Sequence, residues 1–174
     1  TLDPLFHPDS YAYRKGRNAH QAIETAQKRS MCHDWALDLD ISKFFDTIDH
    51  EMMLKALRHY CKEKWVLMYV ERWLKAGIIT KEDLHIDRLT GTPQGGVISP
   101  ILANLFLHVT FDKWMQNHHP DKPFERYADD VVVHCKTARQ SKLMLKLIRE
   151  RLLECKLTLH PEKTKIINLR GISD

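Results

Sequence analysis

Residues Phe124–Cys135 read FERYADDVVVHC, two strand-like runs, 124–128 and 131–135, on either side of the adjacent carboxylates Asp129 and Asp130. Adjacent aspartates between strands have an ordinary explanation, because Asp suits a hairpin turn and faces water there. A catalytic reading needs more. Neighbouring side chains in a straight strand point to opposite faces, so both aspartates can address one site only where the chain turns. A hairpin tip supplies that turn, and the small side chain of Ala128 lets a substrate backbone approach.

The third acid comes from further upstream. In WALDLDISKFFDTIDH (35–50), Trp35, Leu37, Leu39 and Ile41 alternate with Ala36, Asp38 and Asp40, so the acids share one face of a strand whose other face is apolar. Asp49 predicts a helix N-cap before Met52, Met53, Ala56, Leu57 and Tyr60, and a second helix over 64–76 stops at Gly77. Their apolar stripes are core-forming.

Nearer the N-terminus, Asn18 predicts the cap of a helix in which Ala19, Ala22, Ile23 and Ala26 recur at helical spacing. The basic lead-in, Arg14, Lys15 and Arg17, fits either a grip on phosphates or a solvated loop. Residues 84–92 are weakly strand-like and run into TGTPQGGVISP (90–100), where Ser99 with Pro100 predicts a cap and first turn. The following helix presents Ile101, Leu102, Leu105, Phe106 and Val109 inward and ends before His118 and His119, which read as a solvated polar turn. Thr137 and Gln140 predict a capping box for a helix to about Cys155, and KLTLHPEKTKIINL (156–169) predicts a closing hairpin.

Strand, helices, strand, strand, helix, strand is the order of an α+β split βαββαβ fold: an antiparallel sheet with helices on one face and the other open. Its first strand can lie beside the central hairpin, bringing Asp40 to Asp129 and Asp130 on the open face. Carboxylates that close repel one another and raise their own pKa values. Divalent cations resolve the conflict, and two magnesium ions about 4 Å apart form the clamp used in phosphoryl transfer.

Bulk properties are compatible. At 174 residues and 43% hydrophobic content, one domain with a real core is expected. The net charge of +4 permits a nucleic-acid partner without requiring one. Apolar runs are broken by charges and the start is unlike a signal peptide, so a cytoplasmic protein with no membrane partner is expected. Cys32, Cys61, Cys135 and Cys155 are scattered without a C-x-x-C and read as reduced thiols.

DISKFFD, TPQGGVISPILANLFL, YADD and LTLHPEKTK, in this order and approximate spacing, resemble the reverse transcriptases encoded by bacterial group II introns. The upstream YAYRKGRNAHQAI is similar to their fingers segment, departing from it at Ala12, Tyr13, Lys15 and Asn18. The resemblance implies a single reverse transcriptase domain fragment: a partial helical fingers segment over 1–34 and a polymerase palm with inserted helices over 35–174. The earlier fingers and the thumb would fall outside it, and such a fragment is expected to hold duplex weakly and extend primers poorly.

The same resemblance implies RNA-directed DNA polymerisation, in which a primer 3′ hydroxyl attacks the α-phosphate of a dNTP on an RNA template. Asp40 and Asp129 would hold two Mg2+ ions, for which Mn2+ can substitute. Asp130 would complete the set and Asp38 would be a neighbour. Phe45 would exclude a ribose 2′ hydroxyl while Phe44 is core, Gln94 and Gly95 would abut the incoming nucleotide and template, and Lys163 would lie near the triphosphate. Intron RNA is the implied partner. Two other readings stand beside it: a non-catalytic RNA-binding module that assists intron splicing, and a nucleotide cyclase on a similar sheet. The cyclase leaves PQGGVISP unexplained.

Overall fold

The alternating strand forms as expected: β1 is Trp35–Asp40, the second β-element of the main sheet is reached only after a long helical excursion, and a helix precedes both. The computed structural model describes residues 2–79, 85–86, 89–92 and 96–171. In chain order, α1 is Ala19–Ser30, followed by β1, α2 (Phe44–Thr47), α3 (His50–Tyr60) and α4 (Lys64–Lys75). A two-stranded ribbon, β2 (Ile78–Ile79) and β3 (His85–Ile86), leads to α5 (Ser99–Leu107), a π-helical segment His108–Asp112 and α6 (Lys113–His118). The chain closes with β4 (Phe124–Tyr127), β5 (Asp130–Cys135), α7 (Ala138–Glu154) and β6 (Lys165–Asn168).

The sheet order is β4-β5-β1-β6 with every neighbour antiparallel. Each crossover therefore strides over one strand, the split βαββαβ arrangement. Leu37 and Leu39 of β1 and Val131 and Val133 of β5 form the apolar face, packed with Phe106, Phe111, Met144 and Ile148 of the helical layer. On the other face, α1 packs against β4 and β5, and its Arg29 donates to Glu125, which in turn bonds the buried His134. The end of that face carrying Asp38, Asp40 and Asp130 stays open.

Local signals placed the helix starts. The Asn18 side chain accepts from Gln21 N–H at 3.0 Å and the Gln21 side chain accepts from Asn18 N–H at 3.1 Å, a full capping box. Asp49 accepts from Met52 N–H at 2.9 Å. Thr137 accepts from Gln140 N–H, but the Gln140 side chain takes the N–H of Lys136 instead of Thr137. At α5 the boundary moves by one residue: Ile98 is the N-cap and Ser99 the first helical residue.

The inward assignment of Ile101 is corrected, and Ile23 of the α1 stripe also lies outward. Ile23 is 56% exposed and Ile101 is 43% exposed, while Ala22, Leu102, Leu105 and Phe106 are buried. Helix α1 meets the sheet through small residues and Arg29, so its larger apolar side chain falls outside the contact. The helix after Pro100 is also not uniform, since the π segment shifts its faces and turns Asp112 fully into the interior.

The largest correction concerns the C-terminal segment, which pairs with β1 and not with itself. Leu159 bridges Ile41, and β6 then pairs with β1 from Asp38↔Lys165 to Trp35↔Asn168. A lone two-stranded hairpin is marginal in water. The free edge of β1 offers backbone partners while Leu157 and Leu159 enter the core. The residues between the two pairings loop out beside Asp40.

All four cysteines are free thiols, and burial pushes Cys135 up to about 11. Among the described residues, no helix is long and apolar enough to cross a membrane.

Candidate active site

Asp40, the last residue of β1, stands directly opposite Asp130, the first of β5. Directly opposed residues share a face, and Asp38, opposite Val132, lies on that same face. Ala128 and Asp129 form the two-residue turn that joins Tyr127 to its partner Asp130, with Ala128 at φ +56°. The turn frees Asp129 from strand alternation and lets both aspartates serve one end of the sheet.

The charges feel one another. Asp129 is raised above the usual carboxylate range by burial first and by Asp40 second. Asp130 is raised by partial desolvation at the sheet surface, then by Asp129, Asp40 and Asp38. Lys163 answers them directly: its Nζ donates to Asp40 Oδ2 at 3.1 Å, and that bond raises the lysine above its ordinary value.

Lys163 is delivered by the looped residues between Leu159 and β6. His160, which sequence reasoning passed over, organises them. Its backbone N–H donates to Asp40 O at 2.8 Å, and its Nδ1 accepts from the N–H groups of Glu162 and Lys163 at 3.3 and 3.4 Å. A cleft of about 370 Å³ lies over this end of the sheet, lined among others by Asp40, Asp129, Phe45, His160 and Lys163. Phe44 is buried in the core, and half-buried Phe45 meets it edge-on at 5.4 Å between centroids and borders the cleft.

The donor chemistry fits a hard divalent cation, since the groups at this end of the sheet are carboxylate oxygens, and a cation would relieve the raised pKa values of Asp129 and Asp130. Among the described residues, no three His, Cys, Asp or Glu side chains form a finished metal cage.

Gln94 and Gly95 lie outside the described residues. Lys15 is exposed, and exposed Arg17 sits over the Tyr11 ring at 5.4 Å. Arg14 has other partners than phosphate: it donates to Asp3 Oδ1 at 2.9 Å and to the carbonyls of His7 and Ser10, both at 2.7 Å. With its side chain only 8% exposed, it pins the N-terminal segment.

Sequence reasoning also missed Arg126. Fully buried, it donates to both carboxylate oxygens of Asp112 at 2.8 and 2.7 Å and to Asn104 Oδ1 at 3.0 Å. A further bond at 3.0 Å reaches the carbonyl of Ala128 in the turn before Asp129. Asn104 in turn donates to Ala12 O at 2.7 Å. The available signals were Asn104 and Asp112 inside an apolar helix and an Arg beside the paired aspartates.

The sequence profile described as reverse transcriptase (RNA-dependent DNA polymerase) matches residues 1–171. The chain belongs to the reverse transcriptase family. Protein YkfC of Escherichia coli (strain K12) is 32% identical, with 92% of this chain and 52% of that protein aligned. Group II intron-encoded protein LtrA of Lactococcus lactis subsp. cremoris is 33% identical over 61% of this chain and 18% of its own length. This reverse transcriptase chain thus spans about half or less of these curated relatives. Among solved structures, telomerase from Candida tropicalis with a telomeric RNA fragment superposes with a TM-score of 0.71 at 14% identity, covering 97% of this chain and 31% of that one. Telomerase from Candida albicans gives 0.73 at 11% identity, covering 95% and 32%. At such identity the likeness speaks for the fold, a polymerase palm. Reverse transcriptases carry out nucleotidyl transfer that normally needs a divalent metal.

Proposed function

We propose that the protein is an RNA-directed DNA polymerase that extends a primer on an RNA template with dNTPs, and that intron RNA is among its partners. The observation that carries this is the register Asp40↔Asp130 with Asp129 at the adjoining turn, three acids at the open end of a palm sheet. Two Mg2+ ions bound by Asp40 and Asp129, with Asp130 completing the set, would activate the primer 3′ hydroxyl and neutralise the departing pyrophosphate.

The chain's own residues position the reactants. Phe45 packs against the nucleotide sugar where a 2′ hydroxyl would stand. Lys163 exchanges its bond to Asp40 for the triphosphate. Gln94 and Gly95 abut the nucleotide and template, and Lys15 and Arg17 contact nucleic-acid phosphates. A non-catalytic RNA-binding module gives no reason to hold mutually repelling acids at one sheet end.

The test is primer extension by the full-length protein on a primed RNA template with dNTPs and Mg2+. Extension should vanish with EDTA and in Asp40→Asn and Asp129→Asn. RNA binding by a folded wild-type protein without any extension would favour the splicing module instead.

A further inference from the structure

Phe45 sits on a helix of only four residues, α2, entered through Lys43 at φ +46°. So short a helix does not hold its own place. A strap from forty residues on does so: Thr92 N–H donates to Phe45 O at 2.7 Å and Gly91 N–H to Ile48 O at 2.7 Å. Thr90 Oγ1 adds a bond to Asp46 O at 3.0 Å. Gly91 lies so close that a Cβ there would stand 2.7 Å from the carbonyl oxygens of both Phe45 and Asp46.

The strap is itself fixed from behind. His50, at the start of α3 and 7% exposed, places Nε2 2.8 Å from Gly91 O. The acceptor is a carbonyl, so Nε2 carries the proton and donates. His50 is not among the residues lining the cleft, and among the described residues neither its ring nor Thr90, Gly91 or Thr92 bonds Asp40, Asp129 or Asp130.

We propose that His50 is a positioning residue for sugar selection: by holding the Gly91 carbonyl it sets how far Phe45 stands into the cleft, and so how strongly ribonucleotides are rejected. The inference rests on the reading of Phe45 as the sugar gate. Losing the His50 bond leaves a buried carbonyl unpaired. The strap then shifts to find another donor and carries the backbone of Phe45 and Asp46 with it. A gate that works by excluding one hydroxyl is sensitive to displacements well under the size of that group.

The experiment measures kcat and KM for matched dNTP and rNTP incorporation by the full-length protein. The variants are Phe45→Val, His50→Ala, His50→Gln and Thr90→Val. In His50→Ala, discrimination against rNTP falls about three- to ten-fold, through a lower KM for rNTP, with dNTP kcat changed less. His50→Gln returns an N–H near the Nε2 position and restores most of the discrimination. Thr90→Val, at an exposed position that tolerates the change, gives a loss of about two-fold in the same direction. The inference is overturned if Thr90→Val and every folded His50 variant keep wild-type selectivity while Phe45→Val loses it. It is equally overturned if His50→Ala slows dNTP and rNTP alike, the mark of a purely structural role. Unchanged selectivity in Phe45→Val points instead to failure of the gate reading, and takes the inference with it.

Discussion

Lys163 Nζ lies 3.1 Å from Asp40 Oδ2 across 123 residues of chain, so a cation stands where the carboxylate would meet a metal. The contact exists because β6 and Leu159 pair with the same edge of β1 and extrude the loop between them. Lys163 is exposed, so the pair is screened by water and salt and adds little to stability. What stability it does add is complete below the ordinary lysine value of 10.5 and is lost as pH rises through the raised one.

Removing that cation should therefore act on metal binding more than on folding. In Lys163→Gln without nucleotide, Mg2+ affinity measured by titration calorimetry rises by about two- to five-fold, because a competitor for Asp40 is gone. The melting temperature barely moves. Unchanged affinity would show that lysine and metal do not compete.

The charged form of Asp130 weakens the fold where that of Lys163 supports it, although both pKa values are raised and stability falls with rising pH through each. For Asp130, the raised pKa means that the folded protein holds its proton to higher pH than the unfolded chain does, so stability falls as pH rises from 3.8 through the folded value. At pH 7 in EDTA, Asp130→Asn should melt higher than wild type, and the difference should fade towards pH 4. Mg2+ should then raise the melting temperature of wild type more than that of the variant. A variant that melts lower at pH 7 would contradict this account.

Arg126 and Asp112 form a fully buried pair. Burial alone would raise Asp112, but Arg126 outweighs it and holds the acid below its ordinary value of 3.8. The pair's contribution is present above that value and is lost as pH falls below it, through the depressed folded pKa. Arg126→Met strands the carboxylate and costs about 3–5 kcal/mol in urea unfolding at pH 7. Arg126→Met with Asp112→Leu should cost less than Arg126→Met alone. A single-variant loss under about 1 kcal/mol would show that the site relaxes or hydrates.

Gly91→Ala tests the strap through its backbone. At φ +79°, with two carbonyl oxygens 2.7 Å from the new Cβ, alanine meets both strain and collision. A loss of about 1–3 kcal/mol in urea unfolding is expected, and wild-type stability would show that the strap can move aside at no cost.

The chain's own pattern was enough for the split βαββαβ sheet, while its reading as a polymerase palm came with the motif resemblance. Alternation through Trp35–Ile41, the caps at Asn18, Asp49 and Thr137, and an Asp-Asp step between two strands are local features. Local physics, the period of two and the orphan N–H groups of a helix start, reads them out. Placing Asp40 beside Asp129 and Asp130 needed only the split βαββαβ order, which element sequence implies. The tertiary structure alone decided which strand edge the C-terminal segment would take, hence the position of Lys163. It also decided that Arg14 and Arg126 spend their donors inside the protein, and that His50 reaches Gly91. These partners lie far apart in the chain, and no periodicity announces them. They arise once the core closes and every buried donor must find an acceptor among the groups that happen to face it.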